Sequence, residues 1–338
     1  MYILGLDIGY SNLKLACGRA GTTPRTEIQP AGAAPRSRLN VRLNIPCMDP
    51  IAQTGTDGVR VRIHGEEWVA GVHPGRIEHW GRPLHKDYPT TDSYRALFHA
   101  GLLACATRRI DALVTGLPTA QWLNEDYRAA LKSSLEGVHK PDGEHAVEIV
   151  EATILPQPLG TFIDFLWGRQ EENVVRHLKE LCVAIIDAGY YSTDWSVITQ
   201  GALRKALNGT SMKAMAMIFE GAARLIADDD GAEISERQIE EAVADGRPTC
   251  IGRQLKPISL TPYLTRAAQE IAPIAIDSVC ADLRDADTAP QVVILTGGGA
   301  DFFEQSARTA FPAARVVTAN DRVIANARVY FHASSTTV

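Results

Sequence analysis

One short pattern occurs twice, 180 residues apart, and it constrains the chain more than any other feature. Leu6–Lys14 reads LDIGYSNLK; residues 186–194 read IDAGYYSTD. Each copy is an apolar run ending in aspartate, then Gly-Tyr and small polar residues, then a second apolar segment. That order predicts a strand, a tight turn and a returning strand. Gly9 and Gly189 permit turns, at Tyr10 and Tyr190, whose backbone N–H groups point at an anion. Ser11, Asn12, Ser192 and Thr193 can donate to phosphate oxygens, and Lys14 adds a positive charge. Asp7 and Asp187 cannot bind phosphate; carboxylates there suit a hydrated Mg²⁺. A repeat at a spacing of half the chain predicts a domain-scale duplication, not a solenoid. Two related domains would bring the two hairpins to one interdomain cleft, each gripping a different side of a polyphosphate.

A third element fits the same chemistry. Residues 291–303, QVVILTGGGADFF, read as a buried strand, then Gly297, Gly298 and Gly299, then a helix. The glycines allow close approach of a ligand to backbone beside a helix N-terminus. No GxGxxG and no GxxxxGK[ST] occurs, so the dinucleotide-fold and P-loop readings lose their usual support. A net charge of −6 argues against a broad nucleic-acid-binding face. No apolar run reaches a membrane span, and the N-terminus MYILGLDIGY lacks a basic leader, which predicts a cytoplasmic protein. The six cysteines form no CxxC and read as buried free thiols. His64, His73, His79 and His85 have no ligand spacing and read as surface residues.

Two acidic hairpins and a strand–Gly-Gly-Gly–helix, in that order, resemble the superfamily of actin, DnaK-type chaperones and sugar kinases. EATILPQPLGTFIDFL (151–166) resembles its first connecting segment, as strand, Pro-bounded turn and helix. TANDRVIANARVYFHA (318–333) resembles the second connecting helix, with Ala325 and Ala327 small enough for close helix crossing. Within the superfamily, DIGYSNLK and the strand expected in DALVTGLPTAQW (111–122) look like the plasmid-segregation actin-like proteins (ParM/StbA type) and their archaeal relatives. Two departures stand out. Gln157 occupies a position where that branch often has Glu, which keeps a water-positioning role but with room for a slower rate. The second motif lacks the branch's Gly-Gly form, which bears on the γ-phosphate turn.

The resemblance implies an actin-like (ribonuclease H-like) α/β fold, duplicated, with nucleotide in the interdomain cleft. Domain I would span 1–165, with 318–338 packing back on it. Domain II would span 166–317, with a small helical outer subdomain at about 206–260. Residues 22–38, rich in Pro and Ala, read as a loop or mobile insertion, and strand signals mark 59–72. Helices are expected over 93–110 with Ser93 as N-cap, over 161–180, and over 211–228. ISERQIEEAVADG reads as a helix capped by Ser235, with Gln238 completing a capping box and Gly246 ending it. Lys213 and Glu220 are candidates for adenosine contact, against the plainer reading of surface side chains.

The resemblance further implies slow hydrolysis of Mg-ATP (or Mg-GTP). Backbone amides of both hairpins and Lys14 would hold the β- and γ-phosphates, Asp7 and Asp187 would place Mg²⁺, and Gln157 would orient water. Asp194 reads as a solvated strand residue, with a metal or base role left open. Head-to-tail self-assembly would follow, with DNA reached through an adaptor protein and no direct nucleic-acid or membrane contact. Two other readings stay open, a small-molecule kinase of the same superfamily and a nucleotide-gated binding or activator module.

Overall fold

The computed structural model describes the chain except for residues 41–57, 82–86, 168–179, 253–254, 320–323 and 336–338. The chain divides into two compact units, Met1–Asp164 with Val323–Val338, and Phe165–Arg322.

The first unit starts with β1 (Tyr2–Ile8), buried along almost its whole length, as befits a central strand covered on both faces. It pairs antiparallel with β2 (Asn12–Arg19), which pairs antiparallel with β3 (Arg25–Pro30). β4 (Gly32–Pro35), β5 (Val59–Ile63) and β6 (Glu66–Val72) form a separate three-stranded sheet in the order β4-β6-β5. The stretch expected to be a loop or insertion at 22–38 therefore carries two strands. β2 and β6 offer open ladder edges that outweigh its loop-like composition. The helix α1 (Asp92–Ala104) is capped by Thr91, whose side chain accepts from Tyr94 N–H, not by Ser93. It ends before β7 (Arg109–Leu117), so the helix expected to 110 overran into a strand. The short α2 (Thr119–Trp122), α3 (Glu125–Leu135) and β8 (Gly137–His139) lead to β9 (Val147–Pro156). α4 (Gln157–Trp167) follows β9 with no intervening turn. The rest of the helix expected over 161–180 lies outside the described residues.

The second unit repeats this plan. β10 (Cys182–Ala188) pairs antiparallel with β11 (Thr193–Thr199), and β11 with β12 (Ala202–Ser211). Then come α5 (Met215–Asp230), α6 (Glu236–Ala244), the hairpin of β13 (Thr249–Ile251) and β14 (Pro257–Ser259), and α7 (Thr261–Asp285). The capping box at Ser235 and Gln238 is present, and Gly246 sits just past α6 at φ +66°. The helix expected from 211 begins at 215, because β12 runs through Ser211. β15 (Val292–Thr296), α8 (Ala300–Ala310) and β16 (Arg315–Thr318) complete the unit.

The sheet orders carry the duplication. In β3-β2-β1-β7-β9 the first two pairings are antiparallel and the next two parallel; β12-β11-β10-β15-β16 repeats that series. The last helix, α9 (Ala325–Ser335), packs on the first unit's sheet. A side chain at Gly5 would overlap the backbone of Ala327 and Phe331, so only glycine lets α9 lie against β1. Arg328 on α9 pairs with Asp164 on α4 at 2.6 Å. Among the described residues no helix is long and apolar enough to cross a membrane. Cys17, Cys105, Cys182 and Cys250 are buried and Cys280 partly so, all as free thiols. His64 and His79 are exposed and His73 is half-buried; His85 lies outside the described residues.

Candidate functional site

The two acidic hairpins share one geometry. In the first, Asp7 lies opposite Lys14 and Ile8 opposite Leu13; in the second, Asp187 lies opposite Asp194 and Ala188 opposite Thr193. Gly9 N–H donates to Asn12 O and Gly189 N–H to Ser192 O, each at 3.0 Å. Opposed residues of an antiparallel pair face the same side, so each aspartate shares its face with the residue seven positions on.

In the first unit, Lys14 Nζ donates to Asp7 Oδ2 at 2.9 Å. Asp7 is buried and Lys14 half-buried, so the pair is shielded from solvent. Gln157, the first residue of α4, reaches the other carboxylate oxygen of Asp7 at 3.4 Å. A side chain at Gly116 on β7 would overlap both Gln157 and Tyr330, so that glycine clears the space Gln157 occupies. Asp7, Lys14 and Gln157 thus form one cluster at the ends of β1, β2 and β9. Gly9, Tyr10, Ser11 and Asn12 form the adjoining turn and are half-buried. The Tyr10 ring stacks on Tyr88 with centroids 4.9 Å apart. It therefore anchors the turn sideways. Ser11 O accepts from Ala31 N–H at 2.9 Å, which fixes the turn to the start of β4.

In the second unit, the glycine turn closes on the hairpin. Gly297 has φ +84°, and a side chain there would overlap Asp187 Oδ1 and Ala188 O. Gly299 N–H donates to Ala188 O at 3.0 Å, and Met215 at the start of α5 fills the space behind Gly299. Gly298 is exposed, with nothing close to where a side chain would start. The hairpin, the glycine turn and the start of α5 are one construction, because Met215 and Ala216 N–H donate to Gly189 O and Tyr190 O. Thr193 is fully buried, and its hydroxyl donates to Lys213 O at 2.8 Å. It ties the approach to α5 onto the hairpin, and that hydroxyl is not turned to a ligand. Ser192 spends its hydroxyl proton on Asp194 Oδ2 at 2.6 Å. Tyr190 donates to Glu236 Oε1 on α6 at 2.8 Å, with its ring near Phe219. The Lys213 side chain is half-buried, and Glu220 is exposed on α5.

Asp194 differs from the solvated residue expected. It is half-buried on β11, on the face it shares with Asp187, accepting from both Ser192 and Thr210. Burial pushes its carboxyl above the usual range, and the two hydroxyl donors oppose that shift. The sequence signal was the repeat itself: aligning the hairpins puts Asp194 where the first has Lys14. No such signal marked Glu236 or Met215, whose partners come from distant elements. Among the described residues no cluster of three or more His, Cys, Asp or Glu is placed to hold a metal ion. The carboxylates of Asp7 and Asp187 stand one in each unit, at matching positions.

Two family models match the chain: the N-terminal domain of actin-like proteins over residues 5–160, and the C-terminal domain of archaeal MreB-like actin homologues over residues 185–308. No curated protein matches it. Among solved structures, the archaeal actin homologue Ta0583 aligns with a TM-score of 0.75 at 19% identity, covering 100% of both chains. A non-polymerisable quadruple mutant of pCBH ParM aligns at 0.71 with 18% identity over 98% of each chain. A 15-stranded ParM filament from Clostridium botulinum gives 0.69 with 16% identity over 100% of this chain and 99% of that one. At these identities the structural likeness establishes the fold, and Ta0583 has also been solved with ADP. The two family models between them span most of the chain, in the order in which its duplicated halves occur, and the protein belongs to the actin-like superfamily.

Proposed function

We propose that this protein is an actin-like ATPase that binds Mg-ATP through its paired acidic hairpins and forms nucleotide-dependent filaments that segregate plasmid or other DNA. The observation that carries the reading is the matched hairpin geometry, with the glycine turn closed on the second copy. Gly298 is exposed with open space where a side chain would start, which leaves its backbone open to an approaching nucleoside phosphate. The ADP complex of Ta0583 and the Clostridium botulinum ParM filament are consistent with both halves of the proposal.

In this reading Lys14 and the amides of the two turns hold the phosphates. Asp7 and Asp187 are the residues that would hold hydrated Mg²⁺, which when bound neutralises charge on the phosphates. Gln157 orients the attacking water. As an amide it cannot take the proton, so its contribution is position. Its contact with Asp7 already sets its side chain at the first hairpin. Gly297–Gly299 face the nucleoside, and Lys213 and Glu220 flank it. Cytoplasmic assembly, self-association head to tail and an adaptor that contacts DNA complete the proposal. Sedimentation tests it: a pellet with Mg-ATP, and none with Mg-ADP or without nucleotide, is the expected result, with phosphate released in parallel. Equal behaviour in all three conditions would refute it.

A further inference from the structure

Two buried thiols of the first unit meet, and the nucleotide reading makes no use of them. Cys17 on β2 and Cys105, the residue that ends α1, are both buried and hydrogen-bond to one another. Their neighbours fix the pair. Arg25 on β3 stands opposite Cys17 in the register, so its side chain shares that face, and its guanidinium donates to Ala104 O beside Cys105. Tyr2 Oη donates to Cys105 O at 2.9 Å, and Cys105 Sγ donates to Gly101 O at 3.3 Å. The pair lies just under the surface: Arg19, two residues beyond Cys17, and Ala106, next after Cys105, are exposed. Arg25 is exposed on the edge strand β3 and also bonds Cys17, so the path from solvent runs along its side chain.

The other described cysteines behave differently. Burial pushes the thiols of Cys182, Cys250 and Cys280 up, and none of them meets a second thiol among the described residues. The Cys17 thiol is instead held down, first by the hydrogen bond from Cys105 and then, against burial, by Tyr2 and Arg25; the same bond pushes Cys105 up. Nor does the fold call for a thiol there: at the offset of the duplication, Val197 on β11 lies opposite Ala184 as Cys17 lies opposite Leu4. A cysteine that favours its thiolate beside a cation, with a second thiol in contact, has the arrangement of a redox-active pair. We propose that Cys17 and Cys105 are a hydroperoxide-reactive dithiol, Cys17 attacking and Cys105 resolving, that closes reversibly to a disulfide joining β2 to the end of α1. The Cys17 sulfur attacks one peroxide oxygen; an S–O bond forms as the O–O bond breaks, and the departing alkoxide or hydroxide takes the thiol proton. Cys17 is then a sulfenic acid, oxidised by two electrons, and the peroxide is reduced to an alcohol or water. Cys105 attacks that sulfur; the S–S bond forms, the S–O bond breaks, and hydroxide leaves as water with the Cys105 proton. Because the two side chains already touch, closure asks for little backbone movement.

The test is mass spectrometry of the full chain, reduced and then treated with a small excess of hydrogen peroxide. The expected product is a disulfide between the tryptic peptides LACGR (15–19) and ALFHAGLLACATR (96–108), with the loss of two hydrogen atoms in mass and reversal by dithiothreitol. Cys17 should be oxidised at least about tenfold faster than Cys182, Cys250 or Cys280. Cys105→Ala should stop at a Cys17 sulfenic acid that dimedone captures. Cys17→Val, which installs the residue found at the matching place in the second unit, should leave Cys105 reduced, and serves if the alanine variant does not fold. Oxidation of Cys17 no faster than that of the other three, or a disulfide from Cys17 to any cysteine but Cys105, would overturn the inference. So would a Cys17→Val protein whose Cys105 is oxidised at the unsubstituted rate.

Discussion

Acidification should destabilise this protein through one buried histidine. His99 on α1 is 6% exposed and lies beside His139 of β8, with ring centroids 6.1 Å apart. His139 gives one ring nitrogen to Leu135 O at 2.8 Å. Phe98 packs against both rings, and His99 Nδ1 has no partner among the described residues. Burial first, then the positive potential of His139 and Arg95, pushes His99 down to about 4; a hydrogen bond to the Arg62 backbone opposes this only weakly. A base whose folded pKa lies below its unfolded one is kept neutral by folding. Its contribution is therefore complete above about pH 6.5 and declines as pH falls toward 4, because only the unfolded chain takes up the proton. The full span is about 3 kcal/mol. Between pH 7.5 and pH 5, before most carboxylates titrate, the loss works out at about 2 kcal/mol. Urea unfolding at the two pH values, for the unsubstituted protein and His99→Leu, isolates this term. Leucine has a similar volume and no proton to gain. The substituted protein should lose about 2 kcal/mol less over the interval. Equal losses in the two proteins would show that His99 does not titrate as argued.

Other consequences are open to direct measurement. Gly297→Ala puts a side chain against Asp187 and Ala188 at a left-handed backbone position. It should lower stability by about 2 kcal/mol or more in thermal melts and weaken nucleotide binding. Thr193→Val leaves the Lys213 carbonyl unbonded and should cost about 1–2 kcal/mol in urea unfolding. Gln157→Ala should slow phosphate release about tenfold or more with ADP affinity within about twofold, since a positioning group acts on the reaction more than on binding. Tyr190→Phe removes the bond to Glu236 and should increase hydrogen exchange in the first turn of α6; unchanged exchange there would show that the bond is not holding that turn.

Where the sequence was informative, the signal was local and repeated. The two aspartate–glycine turns were legible because the pattern repeats, the glycine run because Gly297 takes a left-handed backbone that favours glycine, and the capping box at Ser235 because its side chains bond the open N–H groups of a helix start. The errors came where partners are distant. β3 and β4 sit in a segment with loop composition and exist because β2 and β6 pair with them. The helix expected over 93–110 hid the start of β7, since the segment TRRI (107–110) suits either state until a neighbouring parallel strand decides. Thr193 was legible as a hydroxyl beside a turn, but not as one facing inward to Lys213.

The duplication also shows how far equal letters carry equal roles. Both hairpins contain Gly-Tyr, yet Tyr10 stacks on Tyr88 while Tyr190 donates to Glu236 at the first turn of α6. The backbone turn is the same, so the side chains diverge because each unit supplies a different wall. The first turn leans on an aromatic cluster next to α1, including Tyr94 across from Tyr88. The second is held to α5 and α6, which have no counterpart among the described residues of the first unit. A displacement of the second turn is therefore transmitted to α5 and α6 through Gly189, Tyr190 and Glu236, whereas the described contacts of the first turn include ring stacking on Tyr88 and the Ser11–Ala31 bond, neither of which reaches α1 directly. Any response to phosphate at the turns is consequently expected to be larger in α6 than in α1, and hydrogen exchange with and without ADP would measure both in one experiment. Greater protection in α1 would reverse that ordering and place the more strongly coupled turn in the first unit.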